Sequence, residues 1–148
     1  DTKISALPSA TVPLAGTEVL PIVQSGATVN VSADGLFTNP TVTNYTEAVV
    51  AIGNSSTAQT LDLTNGTFQT CTLTGNCTFT MPTATAGKSF ILLLTQDGTG
   101  SRTAVFTSVK FSGGTAPTIT VTAGKSDILT FLSDGTSWFG SSSQNYSA

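Results

Sequence analysis

Residues 83–99 read TATAGKSFILLLTQDGT, and residues 120–136 read TVTAGKSDILTFLSDGT. The two stretches align without a gap, and they share the TAGKS segment, an Ile-Leu pair and the closing Asp-Gly-Thr. Each copy has a glycine-centred turn, an apolar strand and an Asp-Gly turn, because Asp and Gly tolerate the positive φ that tight hairpins require. The duplication therefore predicts two central hairpins in an all-β body.

Strand signals continue along the chain from Tyr45, separated by turns that contain glycine. No apolar spacing of three and four persists long enough to predict a substantial helix. The pattern predicts the all-β class, as a β-sandwich or jelly-roll-like domain over residues 45–148. Because residues 90–94 are apolar at every position, both faces of that strand are expected to be covered. The candidate strands are 46–52, 60–63, 67–73, 77–81, 89–95, 103–106, 109–111, 118–122, 127–132 and 137–139.

Residues 1–37 differ from the rest, because prolines interrupt their short apolar steps. The pattern predicts an extended N-terminal arm with at most two short strands, at 19–24 and 27–31, followed by a linker over 38–44. The alternative is an edge strand and loop of the same domain. Such an arm is suited to lying along a partner's surface. The candidate attachment residues are Ile4, Leu7, Pro8, Leu14, Val19, Pro21 and Val23.

Composition excludes several classes of partner. The chain has 148 residues, enough for one domain with a core of its own. Only 9% of the residues are charged and the net charge is −3, so no basic patch predicts nucleic-acid binding. No apolar run has the length of a membrane span, and no membrane insertion is expected.

The residue types also argue against catalysis. The chain contains no His, which excludes Ser-His and Cys-His nucleophile pairs and His-bearing zinc sites. Gly87-Lys88-Ser89 resembles the end of a phosphate-binding loop, but Pro82 stands where that loop needs its first glycine, and a strand follows instead of a helix. We expect no enzymatic activity, no catalytic residues, no metal and no cofactor.

Two side-chain pairs leave alternatives open. Cys71 and Cys77 flank a Thr-Gly-Asn turn. If Cys71 pairs with Phe79, the two cysteines become diagonal neighbours on the apolar face of a hairpin. Their α-carbons would then lie about 7 Å apart, which favours two small core residues over a disulfide. Trp138 and Phe139 could form an exposed platform for a sugar or a protein, although the terminal strand of a sandwich more often buries such residues.

Both parts of the chain resemble pieces of tailed-bacteriophage virion proteins. The arm from KISALPSA at residues 3–10 through PLAGTEVLPIVQ at 13–24 resembles a module that begins many phage appendage and head-associated proteins. TLDL at residues 60–63, LTGN at 73–76, LTQDGTG at 94–100 and DGTSWFG at 134–140 are similar to a β-domain common at the C-termini of phage fibre proteins. In that domain the equivalents of Cys71 and Cys77 are commonly aliphatic.

The resemblance implies a non-enzymatic virion protein, a homotrimer whose arm attaches to other virion proteins and whose β-body faces outward. It implies a location in the virion, after assembly in the host bacterial cytoplasm. Without a shaft or coiled-coil heptads, the chain is expected to be a short projection, as a capsid decoration, a head fibre or a short tail fibre. A host-surface glycan is a further candidate partner. The alternative from another class is a secreted carbohydrate-binding module or adhesin subunit.

Overall fold

The computed structural model describes residues 19–33, 35 and 40–147, and the chain divides into two compact units between Tyr45 and Thr46. In the first unit, β1 (Val19–Gln24) and β2 (Ala27–Ser32) form an antiparallel hairpin. Ser25 and Gly26 connect the strands with φ values of 51° and 79°. Two successive positive values define the type I′ turn, whose twist matches that of the flanking strands. The two short strands predicted here are confirmed.

The second unit is built from two sheets, and the predicted all-β class is confirmed. A six-stranded sheet has the order β3-β5-β7-β10-β11-β9, and a three-stranded sheet has the order β4-β6-β8. A short 3-10 turn follows β9. The strands are β3 (Val49–Asn54), β4 (Ala58–Thr60), β5 (Phe68–Leu73), β6 (Cys77–Thr80), β7 (Ser89–Gln96), β8 (Ala104–Phe106), β9 (Val109–Phe111), β10 (Ser126–Ser133) and β11 (Trp138–Tyr146).

The first six strands of this unit form three stacked rungs. In each rung a strand of the large sheet is followed by a strand of the small sheet, and equivalent strands of successive rungs pair in parallel. Where the chain crosses between sheets, backbone bonds join neighbouring rungs, such as that from the Ser55 N–H to the Thr72 carbonyl at 2.8 Å. These parallel pairings differ from the antiparallel Greek keys of a jelly roll.

The predicted hairpin that pairs Cys71 with Phe79 is wrong, because β5 and β6 belong to different sheets. Cys71 and Leu73 are buried on β5, and Cys77 and Phe79 are buried on β6. The alternation of buried and exposed residues is the same whether two strands lie side by side or face each other across a core. The sequence pattern therefore does not distinguish a hairpin from a crossing.

The duplicated stretches supply the two central strands of the large sheet. β7 and β10 pair antiparallel with Leu92 opposite Leu129, so the copies are related by a local twofold axis near this pair. The turn before each strand bonds to the end of the other strand: the Ser133 N–H donates to the Lys88 carbonyl at 2.8 Å, and the Gln96 N–H donates to the Lys125 carbonyl at 2.9 Å.

Only the second copy forms the expected hairpin. β10 pairs with β11 across Asp134, whose N–H donates to the Ser137 carbonyl. In the first copy the Asp97 N–H donates instead to the Leu73 carbonyl at the end of β5. The chain then continues into the small sheet, so the first predicted hairpin is wrong although both copies contain Asp-Gly-Thr.

Side chains from the facing surfaces of the two sheets form the core. Phe106 on the small sheet contacts Phe131 on the large one with ring centroids 5.4 Å apart. The other face of β7 is only half-buried at Ile91 and Leu93, so the expected cover is found on one face of this strand. Residues 118–122, predicted as a strand, form a loop. The buried hydrophobic cluster is Leu61, Cys71, Leu73, Cys77, Phe79, Met81, Phe90, Leu92, Leu94, Phe106, Ile119, Leu129, Phe131 and Trp138.

Candidate interaction surfaces

The large sheet carries an apolar face on the side away from the small sheet, here called the outer face. Ile91 and Leu93 of β7 lie on the outer face and are half-buried. Their cross-strand partners in β5 and β10 lie on the same face. Val49, Leu132 and Phe139 are 62%, 55% and 37% exposed there. Thr and Ser side chains fill most of the remaining positions. The large apolar side chains of the outer face are Val49, Phe68, Ile91, Leu93, Ile128, Leu132 and Phe139.

The strands of the outer face are nearly free of charge. Among the strands that the structure describes, only Lys110 and Asp127 are charged, and Asp127 is buried on the inner face. Lys110 lies on β9 at one edge, with its Nζ 5.4 Å from the centre of the Phe139 ring. Glu47 precedes β3 at the other edge and accepts a hydrogen bond from the Thr67 hydroxyl at 3.0 Å. The edges of the outer face thus carry charges of opposite sign.

The β1–β2 hairpin has an apolar face of its own. Leu20 pairs with Val31, and Ile22 pairs with Val29, so these four side chains share one face. Leu20 and Ile22 are 42% and 38% exposed. Within the described residues this sheet has only two strands, and a two-stranded hairpin alone is marginally stable in water.

The predicted attachment residues fall in two groups. Ile4, Leu7, Pro8 and Leu14 lie outside the described residues. Val19, Pro21 and Val23 are exposed on the hairpin face opposite Leu20, where their cross-strand partners are the polar residues Ser32, Asn30 and Thr28. The apolar face of the hairpin, formed by Leu20, Ile22, Val29 and Val31, was not predicted from the sequence. Their common signal is the alternation around Ser25-Gly26, which fixes the register once the turn is recognised.

Trp138 and Phe139 do not form one exposed platform. Trp138 is only 2% exposed, and its indole N–H donates to the Pro82 carbonyl at 2.8 Å. Its ring meets Phe90 edge to face at 5.3 Å between centroids. The buried alternative therefore describes Trp138, and Phe139 alone is available on the surface.

Backbone N–H groups within the two Asp-Gly-Thr turns donate hydrogen bonds to the Asp side chain of the same turn. Asp97 accepts hydrogen bonds from the N–H groups of Gly100 at 2.8 Å and Thr99 at 3.0 Å, with Arg102 3.2 Å away. Asp134 accepts from the N–H groups of Ser137 and Thr136 in the same way. These N–H groups lower the pKa of both carboxyls, led by those of Gly100 and Ser137. The two Asp-Gly-Thr turns therefore serve a structural purpose.

A hollow of 320 Å³ has Asp62 and Lys88 among its lining residues. The Asp62 carboxylate already accepts from the hydroxyl of Thr64 at 2.6 Å and from its N–H at 2.9 Å, and this lowers the pKa of the carboxyl. Within the described ranges, no three potential ligands cluster in a way that could hold a metal ion. In that part of the chain no helix is long and apolar enough to cross a membrane.

Cys71 and Cys77 are buried in the core with free thiols. Burial raises the pKa of Cys71 to about 11, and it raises the pKa of Cys77 as well. Thiols of this kind are poor nucleophiles, because the thiolate is the reactive form. The prediction of two core cysteines, favoured over a disulfide, is confirmed.

The fold and its surfaces define a β-structural module whose described residues carry two apolar faces. The family model described as "Putative phage tail fibre C-terminal domain" matches residues 56–138, more than half of the chain. The chain belongs to this family and is a phage fibre-type protein. The match begins in the first rung and includes both copies of the duplicated stretch. Comparison with curated proteins and with solved structures finds no match.

Proposed function

We propose that this chain is a non-enzymatic structural protein of the virion, a homotrimeric surface projection of the phage tail held on the particle by its N-terminal unit. The observation that carries the proposal is the match to a tail fibre domain over residues 56–138. The absence of His from the sequence supports the non-enzymatic part, because it removes the commonest general base. The few charges of the chain support self-association, since little charge repulsion opposes it.

The attachment element in this proposal is the β1–β2 hairpin. Its apolar face of Leu20, Ile22, Val29 and Val31 gives it a surface to place against another virion protein. Within the part of the chain that the structure describes, each strand also has one edge without a strand partner, which suits strand addition to a partner sheet. The polar partners of Val19 and Val23 make the other face the weaker candidate.

Assembly is proposed to take place in the host bacterial cytoplasm. The free thiols of Cys71 and Cys77 support this, because a reducing compartment keeps such groups unpaired. A host-surface glycan is a weaker candidate partner, since only Phe139 of the predicted aromatic pair is exposed.

Particle incorporation of hairpin variants tests the attachment. Ile22→Asp places a charge on the apolar face and should abolish incorporation into virions, whereas Val23→Asp places the same charge on the opposite face and should leave it intact. Both variants should melt like the wild type, because the core of the second unit is unchanged. Equal incorporation of the two variants would contradict attachment through this face.

Immunogold labelling of intact particles tests the location. Gold at the tail supports the proposal, and gold over the capsid surface would show a decoration protein or head fibre instead. Recovery of the protein only from the culture medium, with no label on particles, would favour a secreted adhesin or carbohydrate-binding module.

A further inference from the structure

The outer face of the large sheet exposes more large apolar side chains than the outward face of the small sheet. Val49, Leu132 and Phe139 are exposed beside half-buried Ile91 and Leu93. The outward face of the small sheet shows mainly Thr, and Val105 is its one large apolar side chain. We propose that the outer face of the large sheet is the surface through which copies of this chain contact one another, an inference that rests on the homotrimer proposed above.

Charge favours a second copy as the occupant. Two copies of a chain with a net charge of −3 repel each other, so they meet most easily on a surface that contributes no like charges. Of the residues that these strands place on the outer face, only Lys110 is charged within the described ranges, because Asp127 of β10 is buried on the inner face. A face whose hydroxyls belong to Thr and Ser also avoids the burial of an unpaired charge.

The edges of the face are complementary to each other. Lys110 lies on the β9 edge, and Glu47 lies beside the β3 edge. When three copies turn their outer faces toward a common axis, the β9 edge of each copy meets the β3 edge of the next. A cyclic contact of this type joins two different patches and closes through its rotation. Each corner would then pair a Lys with a Glu.

The size of the face is adequate for such an assembly. Six strands of three to nine residues, spaced about 4.8 Å apart and rising about 3.3 Å per residue, cover roughly 600 Å² in projection. Side-chain relief makes the accessible area larger than the projection. The face is therefore of the order of the ~800 Å² that each partner contributes to a standard interface.

Three matched variants of the full chain test the surface. Val49→Asp and Leu132→Asp place a carboxylate on the outer face, and Val105→Asp places it on the outward face of the small sheet at nearly the same exposure, 58% against 62% for Val49. Sedimentation equilibrium at micromolar concentration should show a trimer for the wild type and for Val105→Asp. Each outer-face variant should raise the dissociation constant at least ~30-fold, as for the loss of an interface anchor.

Charge reversal provides a test with less risk to folding. Lys110→Glu should weaken association, and adding Glu47→Lys in the same chain should restore it, because the pair is then reversed but still complementary. Lys88→Glu makes the same change of charge in an exposed turn. The assembly mass measured by sedimentation should be the same for this variant as for the wild type. Circular dichroism checks that every variant is folded.

The outcomes separate this inference from the proposal beneath it. A wild type that is monomeric overturns both the trimer and the surface. A trimer that survives Val49→Asp and Leu132→Asp overturns the surface alone. Dissociation by Val105→Asp with no effect of the outer-face variants assigns the contact to the small sheet. If another virion protein covers the outer face instead, the wild type is monomeric. The outer-face variants then lose binding to that protein, and their own mass in solution does not change.

Discussion

Gly100 occupies a position where the backbone has no room for a side chain. A Cβ atom there would lie 2.7 Å from the Ala123 nitrogen and from the Val121 carbonyl oxygen, and the φ of +70° is itself unfavourable for other residues. We expect Gly100→Ala to lower the free energy of unfolding by about 2 kcal/mol or more. A Cβ atom at Gly98 would meet nothing within 4 Å. Gly98→Ala is the matched control for urea unfolding, and equal losses for the two variants would contradict the steric explanation.

The two core cysteines should tolerate aliphatic replacement. Cys71→Val and Cys77→Val keep nearly the same volume in an apolar site, and each should cost less than about 1.5 kcal/mol of unfolding free energy. Thermal melting with and without a reductant measures this. A large fall in melting temperature for either variant, together with a wild type that is sensitive to reductant, would instead indicate a bridge between them.

The Asp-Gly-Thr turns should make stability depend on acid pH. Hydrogen bonds from backbone N–H groups hold the pKa of Asp97 and Asp134 below the ordinary value of 3.8. A lowered folded-state pKa stabilises the fold above the unfolded value, and this contribution is lost as the pH falls through the folded value. The double variant Asp97→Asn, Asp134→Asn keeps the acceptor but removes the charge. Its melting temperature should fall less steeply below pH 4 than that of the wild type, and parallel curves would refute this.

At the scale of elements, Asp127 anchors two segments to β10. Its carboxylate is buried and accepts the N–H of Thr120 at 2.7 Å and the N–H of Asn145 at 2.9 Å. Asp127→Ala would leave both donors without this acceptor and should cost about 2–4 kcal/mol. Asp62 also accepts a backbone N–H but is exposed, so Asp62→Ala should cost clearly less than Asp127→Ala. Comparable costs in chemical denaturation would show that the burial of Asp127 is unimportant.

The same residue explains why one strand was wrongly predicted. Residues 118–122 have the Thr, Ile and Val of a strand, but the Thr120 N–H bonds to the Asp127 side chain rather than to a neighbouring strand. The positions of most other strands were predictable, because the alternation of apolar residues and the glycine turns are local signals. Which strands pair was not predictable. In the rungs, partners come from the preceding or following rung, and no local signal identifies them.

The candidate surfaces were predictable to different degrees. Apolar residues of the N-terminal segment suggested an attachment element, but the face that contains Leu20 and Ile22 becomes evident only from the hairpin register. The outer face could not be predicted, because Ile91 and Leu93 lie in an apolar run that indicates cover on both sides. For Trp138 the sequence favoured burial, which the structure shows, but it left the exposed alternative open. An aromatic residue after a turn gives no local sign of which side of the strand it will face.

At the scale of the whole molecule, the division into two compact units predicts that virion attachment can be removed without unfolding the β-body. Removing residues 1–37, or the whole first unit to Tyr45, should leave a folded body, because the core cluster lies entirely in the second unit. The truncated protein should show β-type circular dichroism and cooperative melting, and it should be absent from purified virions. A truncated body that fails to fold would show that the first unit stabilises the sandwich, and the attachment surface would then have to be sought elsewhere.

The stacked rungs also determine how quickly this chain can reach its native state. Phe68 must find both Val49 and Ile91, and Val109 must wait for Trp138, so few sheet contacts of the second unit form between consecutive strands. Chains dominated by non-local pairings fold in milliseconds to seconds, much more slowly than chains with local contacts. During synthesis, β3 emerges with an unpaired edge and stays so until β5 follows. The rate at which native protein accumulates is then governed by this slow search, and unpaired edges on partly made chains are the points most exposed to aggregation.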